Sequence, residues 1–567
     1  MSARAQDGNA SGAGRPPVFC DLVMKGGVTS GVTYPLAIVE LAKRFHLKNL
    51  GGTSAGAISA AFAAAAELRR RKGSDAGFRA LEELPGWLSQ RGRLLQLFAP
   101  DPATKSLFSL AVKGAAYKRF RIPRLAMACF ALWPLALSLS LLPGLLCLLA
   151  SGRVLLAGRV EWWLGLAASV GGLALMASGF ALVLSRRLQR ALRAVIHNGF
   201  GLSSGMGGGA RTESPPLSPW LHERLNALAG SSGKAPLTFS ELWNAPVPER
   251  GRALLSERDR SIDLQMVTTC LSHGRPYQLP QLEGNLYFDP LEFARLFPQP
   301  VVDWMVEHAG SDAEGAKEAR GVEGNRLLAL PEPGDLPVVV AVRMSLSFPL
   351  LISAVPLWAI DTHASTKDGQ EPRAERIWFS DGGISSNFPI HFFDVLVPRW
   401  PTVAISLRQL PAQGEPKSSS SRVRALRSRE VGLGERWIRF EGGGGIGDLF
   451  GFLRTILDSM QNWYDNSYLP LPGYRDRVVE LGLSKHEGGL NLDMSPDTIE
   501  KLTREGREAG RLMAERFTRA AGEEQRLSWD DHRWTRYRSG MAALAGVLAG
   551  LSRVIEGEAN WPALIRR

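Results

Sequence analysis

Two long uncharged stretches limit what this chain can fold into. Leu125–Ala150 runs for 26 residues, and Trp162–Ser185 for 24, without a charged side chain. A bilayer-crossing helix needs roughly 20 apolar residues, so each stretch is long enough. Both are apolar on every face, which suits lipid better than a half-exposed surface. The competing reading is a pair of buried core helices, although such helices seldom run this far without a charge. Pro134, Pro143 and Gly144 interrupt the first stretch, as membrane helices tolerate.

The flanks predict the orientation. Lys113, Lys118, Arg119, Arg121 and Arg124 precede the first stretch, and Arg186, Arg187, Arg190 and Arg193 follow the second. The connector Ser151–Glu161 holds only Arg153, Arg159 and Glu161. By the positive-inside rule both outer ends are cytoplasmic and the connector reaches the far side. Residues 111–198 therefore read as a transmembrane helical hairpin. Its basic collar would hold anionic lipid head groups, and it accounts for much of the formal net charge of +12. No zinc-finger spacing or aromatic-interleaved basic patch points to nucleic acid.

With 45% hydrophobic and 22% charged residues among 567, the chain is neither wholly disordered nor collagen-like, and it is too long for a disulfide scaffold. Cys20, Cys129, Cys147 and Cys270 are far apart, with no metal or disulfide spacing; a reducing compartment suits them. Residues 1–17 are small, polar and rich in Pro and Gly. They lack the apolar segment of a secretory signal and read as a frayed, disordered tail.

The folded part opens as α/β. Val18–Met24 has strand character, a glycine turn follows at Lys25–Gly31, and Val32–Phe45 has helical spacing. Leu47–Gly51 is a second strand, and Ala55–Arg71 an alanine-rich helix ending in basic residues. Beyond the hairpin, Gly199–Lys234 reads as a Gly/Ser/Pro-rich loop. Ile262–Cys270, Leu336–Val342, Arg376–Ser380 and Thr402–Leu407 read as strands. Ser311–Gly324, Gln413–Arg422 and Glu441–Gly447 read as loops. Asp448–Tyr464, Ser495–Ala520 and Trp534–Ile555 read as helices.

Three short segments carry chemistry. Gly52-Thr53-Ser54-Ala55-Gly56 lies between a strand and a helix. A sharp turn there lifts Ser54 to the strand's tip, at a helix N-terminus that favours developing negative charge; a packed turn with an idle serine is the plainer alternative. Upstream, the glycine turn Lys25-Gly26-Gly27…Gly31 could offer backbone N–H groups to an oxyanion, or be an ordinary strand-to-helix loop. Downstream, Asp381-Gly382-Gly383 places a carboxylate at a strand end. Asp381 could take the proton from Ser54, could orient a histidine, or could mark a solvated Asp-Gly turn. A Ser-acid-His triad would draw on His391, His486 or His532, none of which has a distinctive context.

Glycine turn, GxSxG and distant Asp-Gly-Gly, in this order, resemble the patatin-like phospholipase family of lipid acyl hydrolases. Val340–Pro349 is similar to the family's strand-and-helix element before the aspartate. The residues near His273 and Tyr287-Phe288-Asp289-Pro290 are similar to a bacterial, membrane-associated branch, some of whose members are called suppressors of a heat-shock sigma factor. The turn departs from the family's usual Gly-Gly-Gly-x-Arg/Lys-Gly, since Val28 and Thr29-Ser30 stand where the third glycine and basic residue belong.

The resemblance implies an α/β patatin-like hydrolase with a central, mainly parallel sheet, an inserted transmembrane hairpin and a helical C-terminal region. Its first part would occupy 18–110, the hairpin 111–198, a loop-rich connector 199–261, the second part 262–410 and the mainly helical region 411–567. It further implies Ser54 as nucleophile and Asp381 as base of a dyad, an oxyanion hole at Gly26, Gly27 and Val28, and motif glycines Gly52, Gly56, Gly382 and Gly383. No metal or cofactor is implied. The substrate would be a membrane phospholipid or other acyl lipid, and homo-oligomerisation stays open. The expected location is a bacterial inner membrane with two spans, the catalytic domain and both termini being cytoplasmic. A non-hydrolytic membrane regulator of the same fold and a Ser-His-Asp esterase are the alternatives.

Overall fold

The structure is a computed structural model. It describes residues 18–27, 29–90, 92–109, 134–156, 162–207, 215–231, 233, 235–310, 327–360, 374–410, 422–427, 471–484, 487–489, 491–519 and 527–557, with scattered positions between 452 and 468. The chain divides into two compact units. One comprises Met1–Leu95, Ser218–Phe348 and Val355–Arg567, and the other Gln96–Leu217 with Pro349–Ala354.

The larger unit is built on one mixed sheet. Strand β1 (Phe19–Met24) is wholly buried, and β2 (His46–Gly52) nearly so. Both read as continuous rather than alternating apolar runs, as strands covered on both faces do. Helices α1 (Tyr34–Ala42) and α2 (Ala55–Arg71) follow them. The run of alanines lets α2 bury nearly every face, while Arg70 and Arg71 in its last turn pair with the buried Glu67.

In the smaller unit, α3 (Pro134–Leu156) and α4 (Trp162–His197) pack together, and β3 (Gly201–Ser203) pairs in parallel with β8 (Leu350–Ile352). Small residues set the helix contact: a methyl on Gly179 would lie 2.6 Å from the Ser140 carbonyl, and the Ser151 and Ser169 hydroxyls are 3.1 Å apart. Close approach through Gly and Ser is how helices associate in lipid. Leu139, Leu146, Leu149, Leu166 and Leu173 face outward, each more than half exposed. Helix α4 is long and apolar enough to cross a membrane; residues 125–133 of the first uncharged stretch lie outside the described residues. At the helix base, the Asp101 carboxylate accepts hydrogen bonds from Asn198 Nδ2 and Ser204 Oγ at 2.8 and 3.0 Å.

The remaining strands of the large sheet are β4 (Asp263–Cys270), β5 (Arg275–Leu279), β6 (Leu286–Phe288), β7 (Leu328–Ala329), β9 (Val355–Ile360), β10 (Ala374–Asp381), β11 (Thr402–Gln409), β12 (Val423–Ala425) and β13 (Val478–Leu483). Their order among the described residues is β12-β13-β11-β1-β2-β4-β10-β9-β6-β7, with β5 beside β4. The centre, β13 to β4, is parallel, and the flanks are antiparallel.

Two expectations change, and a third gains detail. Leu336–Val342 is not a strand: helix α5 (Val338–Ser345) starts there after Pro337, and all eight of its residues are buried. A short apolar run does not distinguish a buried strand from a buried helix. The stretch 199–234 is not only loop, because it holds β3 and a helix at Leu217–Ala229. The region after 411, expected to be mainly helical, also contributes β12 and β13 to the main sheet beyond β11. Its helices include α6 (Pro496–Thr518), capped by the Ser495 side chain, and α7 (Trp529–Gly557). Most of 411–470, including 413–421 and 441–447, whose sequence reads as loop, lies outside the described residues.

Candidate active site

The chain turns sharply where β2 passes into α2, and Ser54 is the turning residue. Its φ of 54° and ψ of −127° lie in a region that side chains rarely adopt. Such strain persists only where the surroundings enforce it. Here they do: a methyl on Gly52 would collide with the Gly56 carbonyl, and one on Gly56 with the Met24 carbonyl of β1. The Gly56 and Ala57 amides bond back to Thr53 and Ser54 carbonyls at 2.9 Å, and the Ser54 amide donates to Ser345 Oγ of α5 at 3.3 Å. Ser54 is 3% exposed.

Asp381 ends β10, far along the chain from Ser54. Its amide donates to the Ser347 carbonyl at 3.0 Å, and its carbonyl accepts from Thr269 Oγ1 at 3.0 Å. Carboxylate Oδ1 accepts the Gly383 amide at 2.7 Å. Gly382 is needed between them, because a side chain there would strike the Val267 carbonyl. Oδ2 is buried without a partner in hydrogen-bond geometry. Burial pushes the Asp381 pKa up to about 7, against the opposing pull of the Ser54 hydroxyl and the Gly383 amide. The structure thus brings the hydroxyl of Ser54 beside this carboxylate without a well-formed hydrogen bond between them.

The glycine turn adjoins the same place. The Gly26 amide is taken by the Asn387 carbonyl at 2.9 Å, which also accepts Thr53 Oγ1 at 3.0 Å. Gly27 lies against Leu407 and Ser30, and Val28 lies outside the described residues. Thr29 is tied through its amide and hydroxyl to the Gly489 carbonyl, at 3.3 and 3.1 Å.

One residue with no sequence motif organises this corner. Asp465 accepts Ser386 Oγ, the Asn387 amide and the Phe388 amide at 3.2, 2.9 and 2.7 Å. Burial raises its pKa, opposed by those amides and by the charge of Lys25. The signal that could have marked it is Asn387 within the segment after Asp-Gly-Gly, which needs an acceptor for two successive amides.

His391 is stacked on Tyr468 and edge-on to Phe392, and burial lowers its pKa. His532 is fully buried against Phe517 and Trp529. His486 lies outside the described residues. Among the described residues, no cluster of three or more His, Cys, Asp or Glu could hold a metal ion.

No protein-family model matches the chain. In the heterodimeric ExoU-SpcU complex from the type III secretion system of Pseudomonas aeruginosa, a chain aligns with 96% of this one at 14% identity and a TM-score of 0.25; 61% of that chain's own length is matched. The RpoH suppressor of Rhizobium meliloti (strain 1021) is 36% identical over 579 aligned residues, covering 93% of this chain and 86% of that protein. Agreement on that scale over nearly the whole length shows that the chain belongs to the RpoH suppressor family.

Proposed function

We propose that the chain is a membrane-anchored serine lipid acyl hydrolase of the patatin-like kind. The observation that carries the reading is a buried, strained Ser54 beside a buried carboxylate whose pKa is near neutrality. A base is most effective when its pKa lies near the working pH. In this scheme Ser54 Oγ attacks the ester carbonyl while Asp381 Oδ2 takes its proton. The C–O bond breaks, the protonated alcohol leaves, and an acyl-serine remains. Water, deprotonated by Asp381, then releases the fatty acid and restores Ser54. The Gly26 amide is already engaged by Asn387, so the role of Gly26 is to allow close approach, and the oxyanion falls to the amides of Gly27 and Val28 and to the N-terminus of α2.

Wild type should release fatty acid from phospholipid vesicles, and Ser54→Ala should not, with products identified by mass spectrometry. A fluorophosphonate should label Ser54. Label at another serine while hydrolysis persists would refute this nucleophile. The relative's name describes suppression, which favours as a second reading a membrane-bound regulator without hydrolysis. Suppression by an inactive Ser54→Ala protein would support it.

The anchor in this reading is the α3–α4 hairpin, with the Ser54-bearing unit cytoplasmic and acyl lipid as substrate. A reporter fused within Ser151–Glu161 should appear on the non-cytoplasmic side, because basic residues crowd the outer flanks and not the connector. A connector found in the cytoplasm, or release of the protein by alkaline carbonate, would remove the hairpin.

A further inference from the structure

Helix α7 has two halves with different surroundings. Its first turns are fixed to the large unit: Trp529 and His532 are buried against Phe517, and Arg536 Nη2 donates to Asp394 Oδ1 and the Val395 carbonyl, both at 2.8 Å. From Met541 to Glu556 every residue is exposed. That half carries no charge between Arg538 and Arg553. Its large side chains share one face: Leu544, Val547, Leu548, Leu551 and Val554, each 46–67% exposed. The opposite face is alanine and glycine, including Gly546 and Gly550, with open space around both.

A second segment, distant in sequence, continues this surface. Val395, Leu396 and Val397 are 52%, 61% and 52% exposed in a loop. Leu396 lies 3.6 Å from where a Gly540 side chain would start. Around the base of α7 stand Trp534 and Tyr537, 59% and 45% exposed, with Arg533 and Arg538. Aromatic and basic residues at the edge of an apolar surface are the composition of a membrane interface.

We infer that α7 and the Val395–Val397 loop form a lipid-binding surface on the unit that holds Ser54, with α7 lying in the plane of the bilayer interface. Length and composition alone would let this helix cross a membrane. The uncharged run Ser539–Ser552 decides against crossing, since 14 residues reach only about 21 Å at 1.5 Å per residue, short of a hydrocarbon core of about 30 Å. Lying flat, the helix sinks its leucine–valine face into the acyl boundary and keeps Arg538 and Arg553 among phosphates. A protein partner would bury one stripe and leave the exposed loop and the aromatic base unexplained. The surface does not depend on the hydrolase reading, because it uses none of the residues at the site.

Depth-dependent quenching tests it. In the full-length protein with Cys129 and Cys147 replaced by Ala, and with Cys20 and Cys270 kept because both are buried, one added cysteine at a time, at positions 542–551 or 396, would carry a fluorophore. The protein would be reconstituted in phosphatidylethanolamine–phosphatidylglycerol vesicles containing brominated lipid. Labels at 544, 548, 551 and 396 should be quenched at least twofold more than labels at 542 and 549. Bromines near the carbonyl end should act more strongly than bromines near the methyl end. Quenching that deepens steadily along the helix, with the C-terminus on the far side, would make α7 a span and overturn the proposal. So would absence of quenching, or efficient cross-linking of Leu548→Cys between copies. Should fluorophosphonate labelling of Ser54 be lost in wild type while quenching follows this pattern, only the hydrolase reading falls.

Discussion

Asp381→Asn is expected to slow acylation of Ser54 by roughly 10²–10⁴-fold, the usual worth of a positioned general base. The amide keeps the shape and can still accept the Gly383 N–H, but it cannot take the proton. The wild-type labelling rate should climb with pH through about 7 as Asp381 ionises, while the variant's slow rate should lose that step. Stability moves the other way. Because the folded carboxyl holds its proton up to about 7 and the unfolded one only to about 3.8, the native state binds more protons between these values. It therefore loses stability as pH rises through them. The Asn variant escapes this loss, so at about pH 8 it should melt no lower than wild type, with any advantage vanishing near pH 4. Lost activity in an undamaged protein separates chemistry from folding. Single substitutions of His391, His486 or His532 should leave most activity; one that matched Ser54→Ala in a folded protein would replace the dyad by a triad. Full activity in Asp381→Asn would remove the carboxylate from the mechanism.

Gly56→Ala should have the next largest effect, for a steric reason. The added methyl would meet main chain: the Met24 carbonyl, with its carbon at 2.9 Å, and the Lys25 carbonyl oxygen at 3.0 Å. Neither can rotate away as a side chain would. The end of β1, which leads into the glycine turn, must move from the start of α2. Overpacking of this kind costs about 1–3 kcal/mol, and an ångström of displacement at a reacting group can cost on the order of 10²-fold in rate. Gly86→Ala is the contrast. Gly86 sits in the helix Ala76–Leu88 with nothing within 4 Å of its added methyl, so it should be neutral or gain up to about 1 kcal/mol. Thermal melting and fluorophosphonate labelling of both variants check the pair. Equal behaviour would mean that the turn tolerates a side chain and that its tight geometry is not required.

What the sequence makes legible is local. The strand–turn–helix from Phe19 to Arg71 can be read because each element is continuous and the turn announces itself with glycines. The Asp-Gly-Gly corner is legible for the same reason. What escapes is set by distant partners. Val478–Leu483 is a strand because β11 accepts it in parallel register, and nothing within those six residues requires this. Val338–Ser345 is helical because it is covered on all sides and starts after Pro337, which an apolar run does not disclose. Asp465 carries no motif because its role is to satisfy amides nearly 80 residues upstream. The apolar end of α7 reads as a helix in sequence, but that no neighbour covers it is a tertiary fact.

The position of β1 has a consequence for how the chain must be made. β1 lies between β2 and β11. The ribosome finishes β2 and α2 by Arg71, yet it does not reach Thr402, where β11 begins, until about 330 residues later. At roughly 5–20 residues per second that interval is about 15–65 s. Throughout it, β11, one of the two neighbours of β1, does not yet exist to cover that edge, and the apolar helices α3 and α4 are made in the meantime. Asn387 arrives near the end of that interval and Asp465 after it, so the corner around Ser54 closes only once the helical pair has left the ribosome. A nascent chain therefore holds Ser54 early and Asp381, Asn387 and Asp465 late, so the order of synthesis sets the order in which this corner can be assembled.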